Sequence, residues 1–154
     1  MVVGMNDCNH TPEDIRTHLS MMQDVISRMA ENSRACKTWA VTLVAAILVV
    51  VARFGTSDDQ SAFGAQAAWI ALVPTVLFWL LDSYYLALER GFRESYNVFV
   101  KRFHARELKE GEVFMIAPSG SVPRQVLSCQ KLFAIWPFYI AMVLVVAVLW
   151  MLLR

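Results

Sequence analysis

The sequence predicts an all-α integral membrane protein with three transmembrane helices, in which a cytoplasmic antiparallel helical hairpin extends the first two. Three observations support this class. Hydrophobic residues make up 57% of the 154-residue chain, whereas soluble domains contain roughly 45–50%. Three apolar runs approach or reach the roughly 20 residues that a transmembrane helix needs. Two of these runs pass without an obvious break into amphipathic helical patterns.

The composition excludes several classes of protein. A formal net charge of +1 argues against a nucleic-acid partner bound through overall charge. Because Cys8, Cys36 and Cys129 show no framework spacing, we expect reduced cysteines facing a cytoplasm rather than a disulfide scaffold. Residues 1–10 lack the basic and apolar regions of a signal peptide and are predicted to form a flexible tail. No cofactor or metal is expected, since Cys8 and His10 alone do not make a metal site.

Residues 11–37 are predicted to form a cytoplasmic amphipathic helix. Thr11 is a favourable N-cap and Pro12 suits the first helical position. Apolar residues recur at alternating steps of four and three, which is a heptad pattern. This stripe contains Ile15, Leu19, Met22, Ile26 and Met29. We predict that it packs on a neighbouring helix of the same chain; the alternative is a coiled coil between subunits.

Two spans follow this helix. The first covers residues 38–54, with Trp39 in the interfacial belt. A polar turn at residues 55–66 contains no Lys or Arg and is predicted to be periplasmic. The second span covers residues 67–88 and places Trp69 at its outer interface.

The second span continues into a cytoplasmic helix over residues 89–108. Pro74 is expected to kink the outer half of the span. An apolar, aromatic stripe follows the inner half at helical spacing and contains Tyr85, Leu88, Phe92, Tyr96, Phe99 and Phe103. Helices joined by a short outer turn run antiparallel, so this stripe is the predicted packing partner of the first one.

The rest of the chain returns to the membrane. Residues 109–130 are rich in turn residues and are predicted to be a cytoplasmic loop. Within it, Val113–Ala117 is expected to form a short strand or to approach the membrane again. Residues 131–153 form the third predicted span, with Trp136 as the inner interfacial anchor and Trp150 as the outer one.

The basic residues define the predicted orientation. Lys and Arg concentrate before the first span and between the second and third spans. The positive-inside rule therefore places the N-terminus in the cytoplasm and the C-terminus, Arg154, in the periplasm. The predicted location is a bacterial inner (plasma) membrane, crossed several times.

Asp82 is the one carboxylate that the sequence places inside a span. It lies 13 residues after Trp69, about 20 Å along a helix and so in the inner third of a bilayer core. An intramembrane carboxylate is a functional-site hypothesis and needs a partner. Lys37 is the favoured partner and Asn32 lies near the same boundary, with Tyr84 or Tyr85 as lesser candidates. A role in holding two helices in register and a role in ion gating both remain open.

Two segments carry a resemblance to a known group of proteins. An R-M-A-x-N-S-x-x-x-K-x-W motif opens the first span, and an aromatic-acid-aromatic motif closes the second. The matching residues are Arg28, Met29, Ala30, Asn32, Ser33, Lys37, Trp39, Trp79, Asp82 and Tyr84. Residues 19–103 thereby resemble uncharacterised small bacterial inner-membrane proteins. The arrangement is also loosely similar to two-span membrane effector modules of anti-phage systems, although the third span departs from that pattern.

Two functions are consistent with these features. The first is an oligomeric membrane effector or pore-forming subunit in the lipid bilayer, because three spans cannot enclose a channel alone. The alternative is a structural or adaptor subunit whose helical hairpin docks a cytoplasmic protein. An enzyme is not expected, since the sequence holds no zinc motif, no paired carboxylates and no Ser/His or Cys/His pair at a plausible depth. His18 and His104 are expected to be surface histidines.

Overall fold

The computed structural model describes residues 11–54, 69–108, 111–129 and 135–153. Within these ranges all regular secondary structure is helical, which confirms the all-α prediction for the described residues. The predicted tail at residues 1–10 and turn at residues 55–66 lie outside them. The elements are α1 (Pro12–Phe54), a 3₁₀ turn (Trp69–Ala71), α2 (Leu72–Ala105), α3 (Val122–Cys129) and α4 (Trp136–Leu153).

Helix α1 is a single 43-residue helix that joins the predicted cytoplasmic helix to the first predicted span. Its start is fixed by reciprocal hydrogen bonds: the Thr11 amide donates to Asp14 Oδ2 at 2.9 Å, and the Asp14 amide donates to Thr11 Oγ1 at 3.2 Å. No proline interrupts the helix after Pro12. At 1.5 Å per residue, α1 is about 65 Å long, roughly twice the thickness of a bilayer core.

Helix α2 begins at Leu72. The chain enters it through the 3₁₀ turn, so Pro74 lies in the first turn of α2, where a missing amide proton disturbs least. Thr75 Oγ1 donates to the Ala71 carbonyl at 2.8 Å and so satisfies that acceptor. At the other end Arg106 adopts a left-handed conformation, with a φ of 58°, and stops the helix.

Helices α1 and α2 pack antiparallel over most of their length. Residues later in α1 contact residues earlier in α2. His18 lies against Phe99, and further along α1 the Ser33 hydroxyl bonds to Asp82. Several small residues of the 3₁₀ turn and α2 are buried. These are Ala71, Thr75, Ser83, Ala87 and Gly91.

The two predicted packing stripes are buried unevenly. Met22 and Phe99 are buried, at 2% and 7% exposure. Phe103, at the far end of α2, is 41% exposed. The other eight members are partly buried. Where Gln23 Nε2 donates to the Tyr96 hydroxyl at 3.2 Å, the contact between the helices is polar.

Helix α4 runs antiparallel to α2. The rings of Trp69 and Trp150 lie 5.9 Å apart at one end, and the Tyr139 hydroxyl donates to the Phe78 carbonyl at 3.1 Å near the other. Together α1, α2 and α4 enclose an apolar core. Its buried members are Ala40, Val44, Ala71, Ala87, Cys129, Ile135, Tyr139, Met142 and Val146.

Part of the predicted loop at residues 109–130 is helical. Helix α3 packs on α2 and begins after Ser121, whose carbonyl accepts the Gln125 amide at 3.2 Å. Val113–Ala117 contains no strand and lies as irregular chain against the N-terminal half of α1 and the C-terminal half of α2. The strand prediction is therefore wrong, because the polar groups of this segment bond to side chains of the helices instead of a neighbouring strand.

Candidate functional site

Asp82 lies at the centre of a buried polar cluster between α1 and α2. Its side chain is fully buried, at 0% exposure. Lys37 Nζ lies 2.6 Å from Asp82 Oδ2, and the Ser33 hydroxyl donates to Asp82 Oδ1. Each carboxylate oxygen therefore faces its own partner. The Lys37 side chain is 27% exposed, so it joins the buried carboxylate to the surface of the helix pair.

Helix geometry explains why two residues of α1 reach the same carboxylate. Ser33 and Lys37 are four residues apart and so lie on one face of α1. Lys37 Nζ is also 3.4 Å from Ser33 Oγ, which accepts from the ammonium while its own proton points to Asp82. The three side chains therefore form one connected centre, which we call the Asp82–Lys37–Ser33 centre.

The structure brings Asp82 and Lys37 together but assigns the third position to Ser33 instead of Asn32. Asn32 is half-buried and makes no hydrogen bond to Asp82 in the described structure. Successive residues point about 100° apart around a helix. Asn32 therefore points away from the face of α1 that carries Ser33. Ser33 continues the heptad stripe of α1, and a polar residue at such an interface position is the sequence signal for this role. The rings of Tyr84 and Tyr85 contact each other at 5.8 Å.

Helix α4 contributes a residue that the sequence analysis missed. Tyr139 is buried, at 4% exposure, and its hydroxyl donates to the Phe78 carbonyl one turn before Asp82. Ser83 makes the equivalent bond within α2, donating to the Trp79 carbonyl at 2.7 Å. A tyrosine inside an apolar run needs a partner for its hydroxyl, and that requirement was the available signal.

The electrostatics of the centre depend on pairing. A lone carboxylate inside an apolar helix pair loses its hydration without compensation. Here an ammonium and a hydroxyl replace the lost water, and the ion pair carries no net charge. Removing one partner of a buried pair destabilises a protein by roughly 3–5 kcal/mol, because the other charge remains buried.

A second polar cluster lies at the far end of the helix pair, around His18. The prediction that His18 is a surface residue is wrong: it is 1% exposed, and its ring lies 4.5 Å from that of Phe99. His18 Nδ1 accepts the Phe114 amide proton at 3.1 Å. Burial lowers the pKa of His18 below its usual value of 6.5. His104 is exposed, as predicted.

The segment from Gly111 to Ser119 covers this end of the helix pair. Arg102 Nη1 pairs with Glu112 Oε1 at 2.5 Å, and Ser95 Oγ donates to the Ala117 carbonyl at 2.8 Å. A cavity of about 250 Å³ remains between the segment and the helices. Residues that line it include His18, Met22, Phe99, Arg102, Glu112 and Met115.

Gly91 allows the chain to dock closely on α2. A Cβ atom at this position would lie 3.0 Å from Pro118 Cβ and 3.3 Å from the Ser119 carbonyl oxygen. The Ser119 amide donates to the Gly91 carbonyl at 3.1 Å. The glycine is therefore a docking position.

The predicted interfacial tryptophans lie near the ends of the apolar segments. Trp39, Trp69 and Trp136 are 59%, 55% and 43% exposed, and Trp150 is partly buried against Trp69. Among the described residues, no group of three or more His, Cys, Asp or Glu side chains is placed to hold a metal ion. Comparisons of the chain with protein-family models, curated proteins and solved structures found no match.

Proposed function

We propose that the chain is a multi-span protein of a bacterial inner membrane. The exposed surface of the apolar helices supports this proposal. α1 and the Trp69–Ala105 segment are long and apolar enough to cross a membrane, and their most apolar windows are only 22% and 28% buried within the chain. The core helix of a soluble protein is mostly buried, so these surfaces require another apolar environment, which a lipid bilayer supplies.

The third span of this proposal is α4. It is an 18-residue helix without a charged residue in its described part, slightly shorter than a typical span. The basic residues place the N-terminus and the segment between α2 and α4 in the cytoplasm. With Trp69 at the outer interface, Asp82 lies about 20 Å deep, in the inner third of a core about 30 Å thick.

Within this membrane the protein acts as an oligomeric effector or pore-forming subunit, and the Asp82–Lys37–Ser33 centre holds its closed arrangement. The observation that carries this proposal is the complete burial of Asp82 against Lys37 between α1 and α2. A carboxylate enclosed by its own chain does not line a water-filled path. Conduction therefore requires several copies and a rearrangement that breaks the ion pair.

Reconstitution of the purified protein in lipid vesicles tests this function. Vesicles loaded with a small fluorescent dye should leak in a protein-dependent way once the protein has been activated, and the leak should rise more steeply than linearly with protein density. Asp82→Asn should change the leak while leaving assembly intact. Glu94→Gln is the matched control, because Glu94 is an exposed carboxylate on the same helix. A strictly monomeric protein in detergent, or vesicles that stay tight under all conditions, would rule the pore function out.

A second candidate function is an adaptor that docks a cytoplasmic protein. The specific observation in its favour is the exposure of apolar side chains far from the proposed bilayer: Phe114 is 52% exposed and Met115 is 71% exposed. No lipid reaches this end of the helix pair in the proposed orientation. For an adaptor, Met115→Ser would abolish partner capture from a bacterial extract, whereas Asp82→Asn would leave partner capture intact. Neither substitution would change vesicle leakage.

A further inference from the structure

The contact between His18 and the Gly111–Ser119 segment has the chemistry of a switch. His18 Nδ1 accepts the Phe114 amide proton at 3.1 Å. A neutral imidazole has one nitrogen that accepts and one that donates, so the neutral ring carries its proton on Nε2 here. In the charged imidazolium both nitrogens donate. Protonation would therefore set an N–H group of His18 directly against the N–H group of Phe114.

The backbone of the segment depends on such contacts. Phe114 adopts a left-handed conformation with a φ of 70°, which is unfavourable for a bulky residue. Conformations of this kind persist only where the surroundings hold them. The Phe114 side chain is 52% exposed and contributes little burial of its own. Two glycines with positive φ, Gly111 at 91° and Gly120 at 79°, flank the segment and are suited to act as hinges.

We propose that His18 is a pH-sensitive latch: while neutral it holds the Gly111–Ser119 segment against α1 and α2, and its protonation releases the segment from the two helices. The bonds from Ser95 and Ser119 at the far end of the segment do not involve His18. Opening is therefore local and centred on Phe114. The latch operates in the same way whichever of the two proposed functions the protein has.

Charged groups from three sides set the pH at which the latch opens. Glu112 of the segment and Arg102 of α2 line the same cavity and pair with each other at 2.5 Å, so their opposing effects on a His18 charge largely cancel. Asp14 lies one turn before His18 on α1 and bonds to Thr11. Burial disfavours the imidazolium and lowers the pKa of His18 below 6.5. We therefore expect release at mildly acidic pH.

Amide hydrogen exchange of the full-length protein in detergent micelles tests this inference. The quantity to follow is the exchange rate of the Phe114 amide at pH 7.5 and pH 5.5. His18→Asn is the matched variant, because the Asn side-chain oxygen can replace Nδ1 as acceptor and does not titrate in this range. Comparing the two proteins at one pH cancels the intrinsic effect of pH on exchange. His104→Asn removes an exposed histidine and should behave as the wild type.

The latch predicts equal protection in the wild type and His18→Asn at pH 7.5. At pH 5.5 the wild type should exchange about tenfold faster than His18→Asn. Equal rates at pH 5.5 would overturn the proposal. Should His18→Asn be open even at pH 7.5, the NMR titration of the wild-type His18 ring decides: a midpoint that coincides with the loss of Phe114 protection supports the latch, and one that does not coincide refutes it.

Discussion

At the scale of single residues, the Asp82–Lys37 ion pair joins α1 to α2 through a buried carboxylate. The two side chains lie 45 residues apart in sequence, and the carboxylate is wholly buried. The position of Asp82 inside a predicted span and the nearest cation at the same predicted depth were sufficient to predict this pairing. Ser33 was harder to find, because a serine carries no charge and its contact depends on the rotation of α1 about its axis.

A double-mutant cycle measures how far the pair stabilises the protein. Lys37→Ala should destabilise it by roughly 3–5 kcal/mol, since the fully buried Asp82 carboxylate is left unpaired. Asp82→Ala should destabilise it less, because the Lys37 side chain is 27% exposed and its ammonium remains within reach of solvent. The double variant should be milder than the sum of the two, because neither charge remains alone. Reversible unfolding in detergent provides the measurement, and strict additivity would show that the two charges do not interact.

The burial of His18 predicts a pH dependence of stability. Its pKa in the folded protein is lower than the unfolded value of about 6.5. The unfolded chain therefore binds the proton more tightly, and the contribution of His18 to stability is complete above pH 6.5. It is lost as the pH falls from 6.5 through the lower folded-state pKa. Thermal unfolding from pH 7.5 to pH 5 should show this loss in the wild type and a smaller loss in His18→Asn; parallel curves would contradict it.

At the scale of elements, the long helices follow from periodicity and the smaller elements do not. The helices α1, α2 and α4 were predictable because their apolar runs and stripes are visible in a single sequence. α3 spans only 8 residues, and its position depends on docking against α2 around Gly91. Such a docking contact joins residues that are far apart in sequence and leaves no periodic signal. The burial of His18 escaped prediction for the same reason, because the Gly111–Ser119 segment covers it.

Gly91→Val tests whether close docking at this glycine positions the chain between α2 and α4. The added side chain would meet Pro118 and the Ser119 carbonyl, since even a Cβ atom would lie 3.0 Å from Pro118 Cβ. We expect the Gly111–Ser119 segment to become susceptible to limited proteolysis, with a loss of roughly 1–3 kcal/mol of stability from overpacking. Phe92→Val, at a partly buried neighbouring position, is the control and should leave the protease pattern unchanged.

Crosslinking tests the antiparallel contact of α1 and α2 against a contact between subunits. Gln23 and Tyr96 are both partly accessible and their side chains bond at 3.2 Å. In a background with the native cysteines replaced, Gln23→Cys with Tyr96→Cys should crosslink within one chain through a short bifunctional maleimide. Gln23→Cys with Arg53→Cys, at the other end of α1, is the negative control. If crosslinks form only between chains, the two stripes are contacts between subunits.

At the scale of the whole molecule, the proposed topology accounts both for the exposed apolar surfaces and for the distribution of basic residues. Reporter fusions after Ser57 and Arg154 should read as periplasmic and a fusion after Glu110 as cytoplasmic. The three sites sample both predicted faces of the membrane. A cytoplasmic reading at Ser57 would invert the proposed arrangement of α1 and α2.

The central claim is that the Asp82–Lys37–Ser33 centre controls a membrane-active assembly, and vesicle leakage of Asp82→Asn tests it most directly. Asn is nearly the same size as Asp and can still accept from Ser33, but it removes the charge that pairs with Lys37. The account predicts an oligomer of wild-type size, measured by sizing in detergent, with dye leakage clearly different from that of the wild type and of Glu94→Gln. An Asp82→Asn protein with wild-type assembly and wild-type leakage would contradict it, leaving Asp82 as a contact that only holds two helices in register.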